Sequence, residues 1–150
     1  MTTPSTHTAQ YRILYRDTDS MGILYYARYL ELFELGRTEW QRDEGLRYAD
    51  MEQEEGKMLP VVRAECEYIQ PLKFDDLAII ETTVHSWTPP PLCFESQVFR
   101  GPGGELCARG KVQLGCVTSD AFRPAKMPEK YLKLLAEEAP DRRGRHRGDS

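Results

Sequence analysis

The chain has 150 residues, 40% of them hydrophobic and 29% charged, and a net charge of −4; these values fit one soluble globular domain and argue against a nucleic-acid-binding protein. No apolar run approaches the roughly 18 residues of a membrane-spanning helix, and residues 1–10 are polar with no hydrophobic signal core, so the expectation is a cytoplasmic protein without a membrane span. A chain of this size can bury about 68–70% of its unfolded surface, enough for a full core.

In chain order, the first predicted element is a strand over 11–15, interrupted by the turn-forming run Asp17-Thr18-Asp19-Ser20-Met21-Gly22. From 25 to 43 the spacing of Tyr26, Tyr29, Leu30, Phe33, Arg37 and Trp40 predicts one long amphipathic helix. Gly36 inside it costs about 1 kcal/mol relative to alanine, a cost that close packing on a sheet would explain. A second, short helix is predicted over 48–53.

Beyond Leu59 the period is two. Val62, Ala64, Cys66 and Tyr68 make an apolar face against Arg63, Glu65 and Glu67. A longer strand over 77–87 is broken by Pro89-Pro90-Pro91. Strands over 93–100 and 106–117 are joined by Gly101-Pro102-Gly103-Gly104, a hairpin turn. In the second of these, Leu106, Ala108, Gly110, Val112, Leu114 and Cys116 share one face. A helix over 128–138 closes a single domain spanning 1–150, ordered over about 9–137. Residues 140–150, with Arg142, Arg143, Arg145 and Arg147, are expected to be a loose, solvated tail. One strand, a long helix and then four strands in succession imply an antiparallel sheet of about five strands with the helix against one face. Helices and strands do not alternate, so the class is α+β.

Most chemistries lack their signature. Cys66, Cys93, Cys107 and Cys116 form no C-x-x-C pair and read as small buried hydrophobes on strands. His7, His85 and His146 belong to no H-E-x-x-H or H-x-E arrangement. No serine sits in a G-x-S-x-G elbow, and the 101–104 glycines fail G-x-G-x-x-G because position 106 is leucine. What remains is a site free of metal and cofactor, built on carboxylate and backbone groups.

The informative segment is 17–26, where Asp17 and Asp19 directly precede the long helix. A helix start offers unpaired N–H groups and partial positive charge, which can hold an oxyanion; a carboxylate beside it can act as nucleophile or as general base on water. Asp and Ser before a helix are equally at home as caps and turn formers. Local geometry does not choose between the two aspartates, although Asp19 is the nearer to the helix start.

The run Asp17-Thr18-Asp19-x-x-Gly22-x-x-Tyr25-Tyr26-x-x-Tyr29-Leu30 resembles the signature of the 4-hydroxybenzoyl-CoA thioesterase-like branch of the hot-dog superfamily, in particular the Tol-Pal-associated bacterial acyl-CoA thioesterases. Phe33-Glu34-x-x-Arg37-Thr38-Glu39 and Tyr68-x-x-Pro71-x-x-x-Asp75-Asp76-Leu77 extend the likeness, which runs over about 11–135. The resemblance implies a hot-dog fold and hydrolysis of an acyl- or aroyl-CoA thioester. It implies Asp19 as catalytic carboxylate, with Gly22, Tyr25 and Tyr26 forming the oxyanion and substrate-binding turn and a backbone N–H near Tyr26 polarising the carbonyl. Coenzyme A enters only as part of the substrate, and the assembly implied is a homodimer or homotetramer. Tyr26 stands where many relatives have histidine, and no cation follows Trp87 where some have a basic cluster, leaving Arg100, Arg109 and Lys111 as phosphate candidates. The pocket aromatics expected are Tyr25, Tyr26, Phe33 and Tyr68. Two other activities suit the same fold: dehydration of a 3-hydroxyacyl thioester, for which His85 could approach from its strand, and acyl-thioester binding without catalysis.

Overall fold

Side-chain alternation after Leu59 becomes a paired sheet in the computed structural model, which describes residues 6–86 and 90–138. The strands are β1 (Thr6–Arg12), β2 (Lys57–Met58), β3 (Val61–Tyr68), β4 (Leu77–Ser86), β5 (Leu92–Arg100), β6 (Leu106–Leu114) and β7 (Val117–Thr118). The helices are α1 (Arg28–Asp43), the short α2 (Tyr48–Asp50), which runs on into a π-helical turn at Met51–Glu55, and α3 (Glu129–Glu138). Five strands form one antiparallel sheet in the order β1-β4-β5-β6-β3, and β2 pairs with β7 apart from it. The consecutive strands β3 and β4 are not neighbours: β3 crosses to the far edge and pairs with β6.

The apolar stripe of α1, with Tyr29, Leu32, Phe33 and Trp40 buried, lies on the sheet face made by Ile80, Phe94, Val98, Val112 and Leu114. Each large side chain so buried contributes about 1.5–3 kcal/mol. A Cβ on Gly36 would come within 2.4 Å of Thr82 Oγ1 and 2.9 Å of Ile80 Cγ2, which is the close approach expected there. The hairpin turn, the terminal helix and the buried Cys93, Cys107 and Cys116 stand as expected, with Cys66 half-buried and all four thiols free. No helix among the described residues is long and apolar enough to cross a membrane.

Four expectations are corrected. The first strand starts at Thr6, ahead of 11, because β4 supplies a partner down to Thr83 and His7 reaches Asp43 near the end of α1 at 2.6 Å. The long helix starts at Arg28, ahead of which Leu24 N–H bonds Leu72 O at 2.7 Å and Tyr25 N–H bonds Asp17 O at 2.9 Å, holding the chain out of helical register. The strand predicted over 106–117 stops at Leu114: Gly115 N–H donates to Pro60 O at 2.8 Å, and the chain then turns to pair with β2. Finally, β3 has no buried apolar face; apart from the half-buried Cys66 it is exposed throughout, including Val61 and Val62, because it is an edge strand that α1 barely covers, whereas the other edge, β1, lies under the helix. The basic tail and the end of the strand at Trp87 lie outside the described residues.

Candidate active site

The turn that precedes α1 is built by its two aspartates in different ways. Asp17 is buried in a 3-10 turn, Tyr15–Asp17. Its Oδ2 accepts Leu14 N–H at 2.8 Å and Tyr11 O–H at 2.7 Å, and its Oδ1 lies 3.8 Å from Arg28 Nε. Burial, then the bond to Asp17, pushes the Tyr11 hydroxyl pKa above its ordinary value, which keeps that donor protonated. Asp17 therefore ties β1 to the start of α1. Asp17→Asn keeps an acceptor for Tyr11 and Leu14 but loses its charge opposite Arg28, and it is expected to lower stability by about 1–2 kcal/mol, measured as a shifted urea midpoint at unchanged slope.

Asp19 is only partly buried. Its Oδ1 accepts Met21 N–H at 2.8 Å, and Gly22 N–H donates to Asp19 O at 2.9 Å, closing a tight turn. Gly22 has φ of +80° with open space where a Cβ would stand, so glycine serves the left-handed backbone here and not close packing. No second hydrogen bond to the Asp19 carboxylate forms among the described residues.

The chain reaches α1 with an uncapped first turn. The cap position, Ala27, supplies no side-chain bond. Arg28 N–H donates to Tyr25 O at 2.8 Å, whereas the backbone N–H groups of Tyr26 and Ala27 have no acceptor among the described residues. Orphan donors at a helix start are a ready anion site.

Asp19 and Tyr26 line one cleft of about 330 Å³, with Met21, Ile23, Tyr29 and Tyr68 among its walls and the 69–71 segment as its rim. Tyr68 O–H donates to Tyr26 O at 3.1 Å, and its ring stands edge-on to Tyr29 with centroids 5.0 Å apart. Desolvation, then the neighbouring Cys66 thiol, pushes the Tyr68 pKa up to about 12, so it remains a donor at neutral pH. The cleft thus has one carboxylate, one lining residue at the helix start whose backbone N–H is unbonded among the described residues, and aromatic walls, close to the 300 Å³ end of ordinary small-ligand sites.

The sequence-predicted residues divide. Asp19 and Tyr26 come together at the cleft, whereas Gly22 shapes the turn after Asp19 and is not part of the lining. Tyr25 stacks edge-on against Tyr26 at 4.9 Å but is not part of the lining, and its N–H is already spent on Asp17. Phe33 is a core residue at 1% exposure, beneath Gly110. Among the phosphate candidates, Arg100 bonds Pro71 O, Asp76 and Glu105, and Arg109 bonds Glu67 at 2.7 Å. His85 is exposed and pairs with Glu95 at 2.9 Å, and no histidine among the described residues lines the cleft. Sequence reasoning missed Tyr29 and the 69–71 rim as walls of the site. Tyr68-x-x-Pro71 was visible as a motif, and it carries that rim.

The model of the thioesterase-like superfamily matches residues 13–135. The putative acyl-CoA thioesterase YneP of Bacillus subtilis is 31% identical over 79% of this chain and 85% of its own length. The acyl-CoA thioesterase YbgC of Haemophilus influenzae is 30% identical with the same coverages. Among solved structures, a probable thioesterase from Bartonella henselae aligns with a TM-score of 0.76 at 28% identity, over 83% of this chain and 100% of that one. A 1,4-dihydroxy-2-naphthoyl-CoA thioesterase from Synechocystis aligns at 0.82 and 19% identity over 88% and 96%, a likeness of fold. With its five-stranded antiparallel sheet laid on one long helix, the chain belongs to the thioesterase-like superfamily and is a thioester hydrolase of the hot-dog fold.

Proposed function

We propose that the protein hydrolyses an acyl- or aroyl-CoA thioester to the free acid and coenzyme A, with Asp19 as the catalytic carboxylate. The observation that carries this reading is that Asp19 and Tyr26, whose backbone N–H has no acceptor among the described residues, line one aromatic-walled cleft. The thioester carbonyl oxygen sits against the Tyr26 N–H, so the charge that develops as the carbonyl is attacked meets fixed dipoles. Asp19 either takes a proton from the attacking water or attacks the carbonyl carbon itself to give an anhydride that water then opens. In both routes the C–S bond breaks, thiolate departs with the electron pair, and one water is consumed. Thiolate is a good leaving group, so the step asks for no strong general acid, no metal and no cofactor beyond the coenzyme A of the substrate. The aromatic walls favour an aryl or medium-length acyl group. A panel of acyl-CoA and aroyl-CoA thioesters, followed by released thiol, tests this; turnover on members of the panel is expected, and silence across all of it contradicts the reading.

Assembly is part of the same proposal. The outermost strand β3 presents eight residues with one free edge and two exposed valines, an arrangement that invites pairing. A second copy joined at this edge gives a homodimer, and two such dimers a homotetramer. Light scattering is expected to report at least twice the 17.3 kDa chain mass; a stable monomer at micromolar concentration contradicts it. The four free thiols suit a reducing compartment, which supports a cytoplasmic location.

A further inference from the structure

A backbone N–H at a helix start is a useful donor only if its direction is fixed, and helix ends fray. At Tyr26 the two neighbouring peptide groups are held in different ways. Ahead of it, Tyr25 N–H is spent on Asp17 O at 2.9 Å, and Tyr25 O accepts Arg28 N–H at 2.8 Å. Behind it, Tyr26 O receives only a long helical bond, from Tyr29 N–H at 3.4 Å, outside the usual range of about 2.7–3.2 Å. The cap position, Ala27, adds no side-chain bond. The firmer partner of Tyr26 O is the Tyr68 hydroxyl at 3.1 Å, which arrives from a position 42 residues further along the chain.

Tyr68 is itself well placed to hold something else. It pairs with Ala108 on β3, and the next two N–H groups, of Ile69 and Gln70, both donate to Cys107 O, at 2.8 and 3.0 Å. Its ring stands edge-on to the buried Tyr29, which lies one turn along α1 from Tyr26. With its pKa pushed up to about 12, chiefly by desolvation, the phenol keeps its proton and stays a donor. A water at the same carbonyl would satisfy it without tying the helix start to the sheet. Peptide groups are planar, so Tyr26 N–H turns with the Tyr25 carbonyl, and holding the Tyr26 carbonyl as well limits the remaining rotation at its Cα. Donors stabilise a developing oxyanion best when they need not reorganise.

We propose that Tyr68 is a positioning residue for thioester hydrolysis: its hydroxyl, by holding Tyr26 O, fixes the direction of the Tyr26 N–H against which the thioester carbonyl sits. The proposal rests on the reading of Asp19 as carboxylate and Tyr26 N–H as donor, and adds to it a residue from the far edge of the sheet.

Tyr68→Phe tests it, because phenylalanine keeps the ring, and with it the cleft wall, and removes only the donor. On the thioester that the parent hydrolyses fastest in the panel, kcat is expected to fall about fivefold, the scale of one neutral hydrogen bond, with KM and melting temperature unchanged. The second readout is the infrared stretch of the same thioester, isotope-labelled at its carbonyl carbon and bound to Asp19→Asn, which holds it uncleaved. A donor on the oxygen lowers this stretch relative to the free thioester; adding Tyr68→Phe is expected to move it back toward the free value. A raised KM with unchanged kcat, the mark of a wall and no more, overturns the proposal. A lowered stretch that Tyr68→Phe leaves in place also overturns it, and leaves the Tyr26 assignment standing. A stretch in Asp19→Asn equal to that of the free thioester, or silence across the panel, overturns both. Should Tyr68→Phe fail to fold by circular dichroism, Tyr68→Met, which also lacks a donor, is read on the carbonyl stretch, and an unmoved stretch there overturns the proposal.

Discussion

Gly110→Ala is expected to be among the most destabilising single-methyl additions in the chain. Gly110 sits mid-strand on β6, between Cys66 of β3 and Ser96 of β5, on the face covered by α1. A Cβ there would stand 2.3 Å from Glu65 O, 2.5 Å from Phe33 Cε2 and 2.9 Å from Phe33 Cζ. The first of these atoms is backbone and cannot swing aside. Phe33 is 1% exposed and packed on every side. The methyl must therefore push strand β3 from β6, or lift α1 off the sheet. Overpacking of this kind costs about 1–3 kcal/mol and sometimes more; with the backbone clash we expect about 3 kcal/mol, or a melting temperature lower by roughly 6–12 °C at this chain length. A thermal melt and a urea titration on the variant check it. A loss below about 0.5 kcal/mol, the scale of an ordinary surface change, would mean that helix and sheet do not approach as closely as described.

Much of this packing was legible in the sequence. The 3.6-residue spacing of Tyr29, Phe33 and Trp40 specified α1 and its buried face, and Gly36 signalled the close approach that Thr82 and Ile80 bear out. The period-two runs specified β4, β5 and β6. What escaped were features decided by partners distant in sequence. The helix start depended on Leu72 O and Asp17 O capturing the N–H groups of Leu24 and Tyr25, and periodicity alone carries no trace of that. Alternation in Val62, Ala64, Cys66 and Tyr68 reported a face able to be buried, whereas burial depends on what lies over the strand, and α1 barely covers the edge strand β3. Arg37 fell in register with the apolar stripe, so its burial was readable, but the lack of a hydrogen-bond partner for its Nε among the described residues was not.

The candidate site divides the same way. Asp17 as a fastener of the loop followed from its residue type and place, and the bond from Leu14 N–H agrees; the second partner, Tyr11 O–H, lies on a strand that no local rule connects to the turn. Gly22 was readable as part of a turn-forming run, and its φ of +80° agrees. Pocket aromatics were named by type, and packing then sent Phe33 inward and left Tyr25 off the lining. The 69–71 rim arrives from the crossover between β3 and β4, which pairing order, and not sequence, brings beside Asp19.

The central claim is the division of labour between the two carboxylates, and Asp19→Asn tests it most directly. The amide is nearly the same shape as the carboxylate and keeps an oxygen for Met21 N–H, which Asp19 Oδ1 now accepts at 2.8 Å. The turn around Gly22 should therefore survive, and so should the cleft and substrate binding. What the amide cannot do is take up a proton from water or attack a carbonyl as a carboxylate. Removing a positioned acid–base group costs roughly 10²–10⁴-fold in rate. Steady-state thiol release on a thioester the parent hydrolyses well, run beside a thermal melt, reads both quantities. The account predicts kcat lower by about a hundredfold or more, KM within a few-fold and the melting temperature unchanged. An Asp19→Asn enzyme with kcat near that of the parent would contradict it.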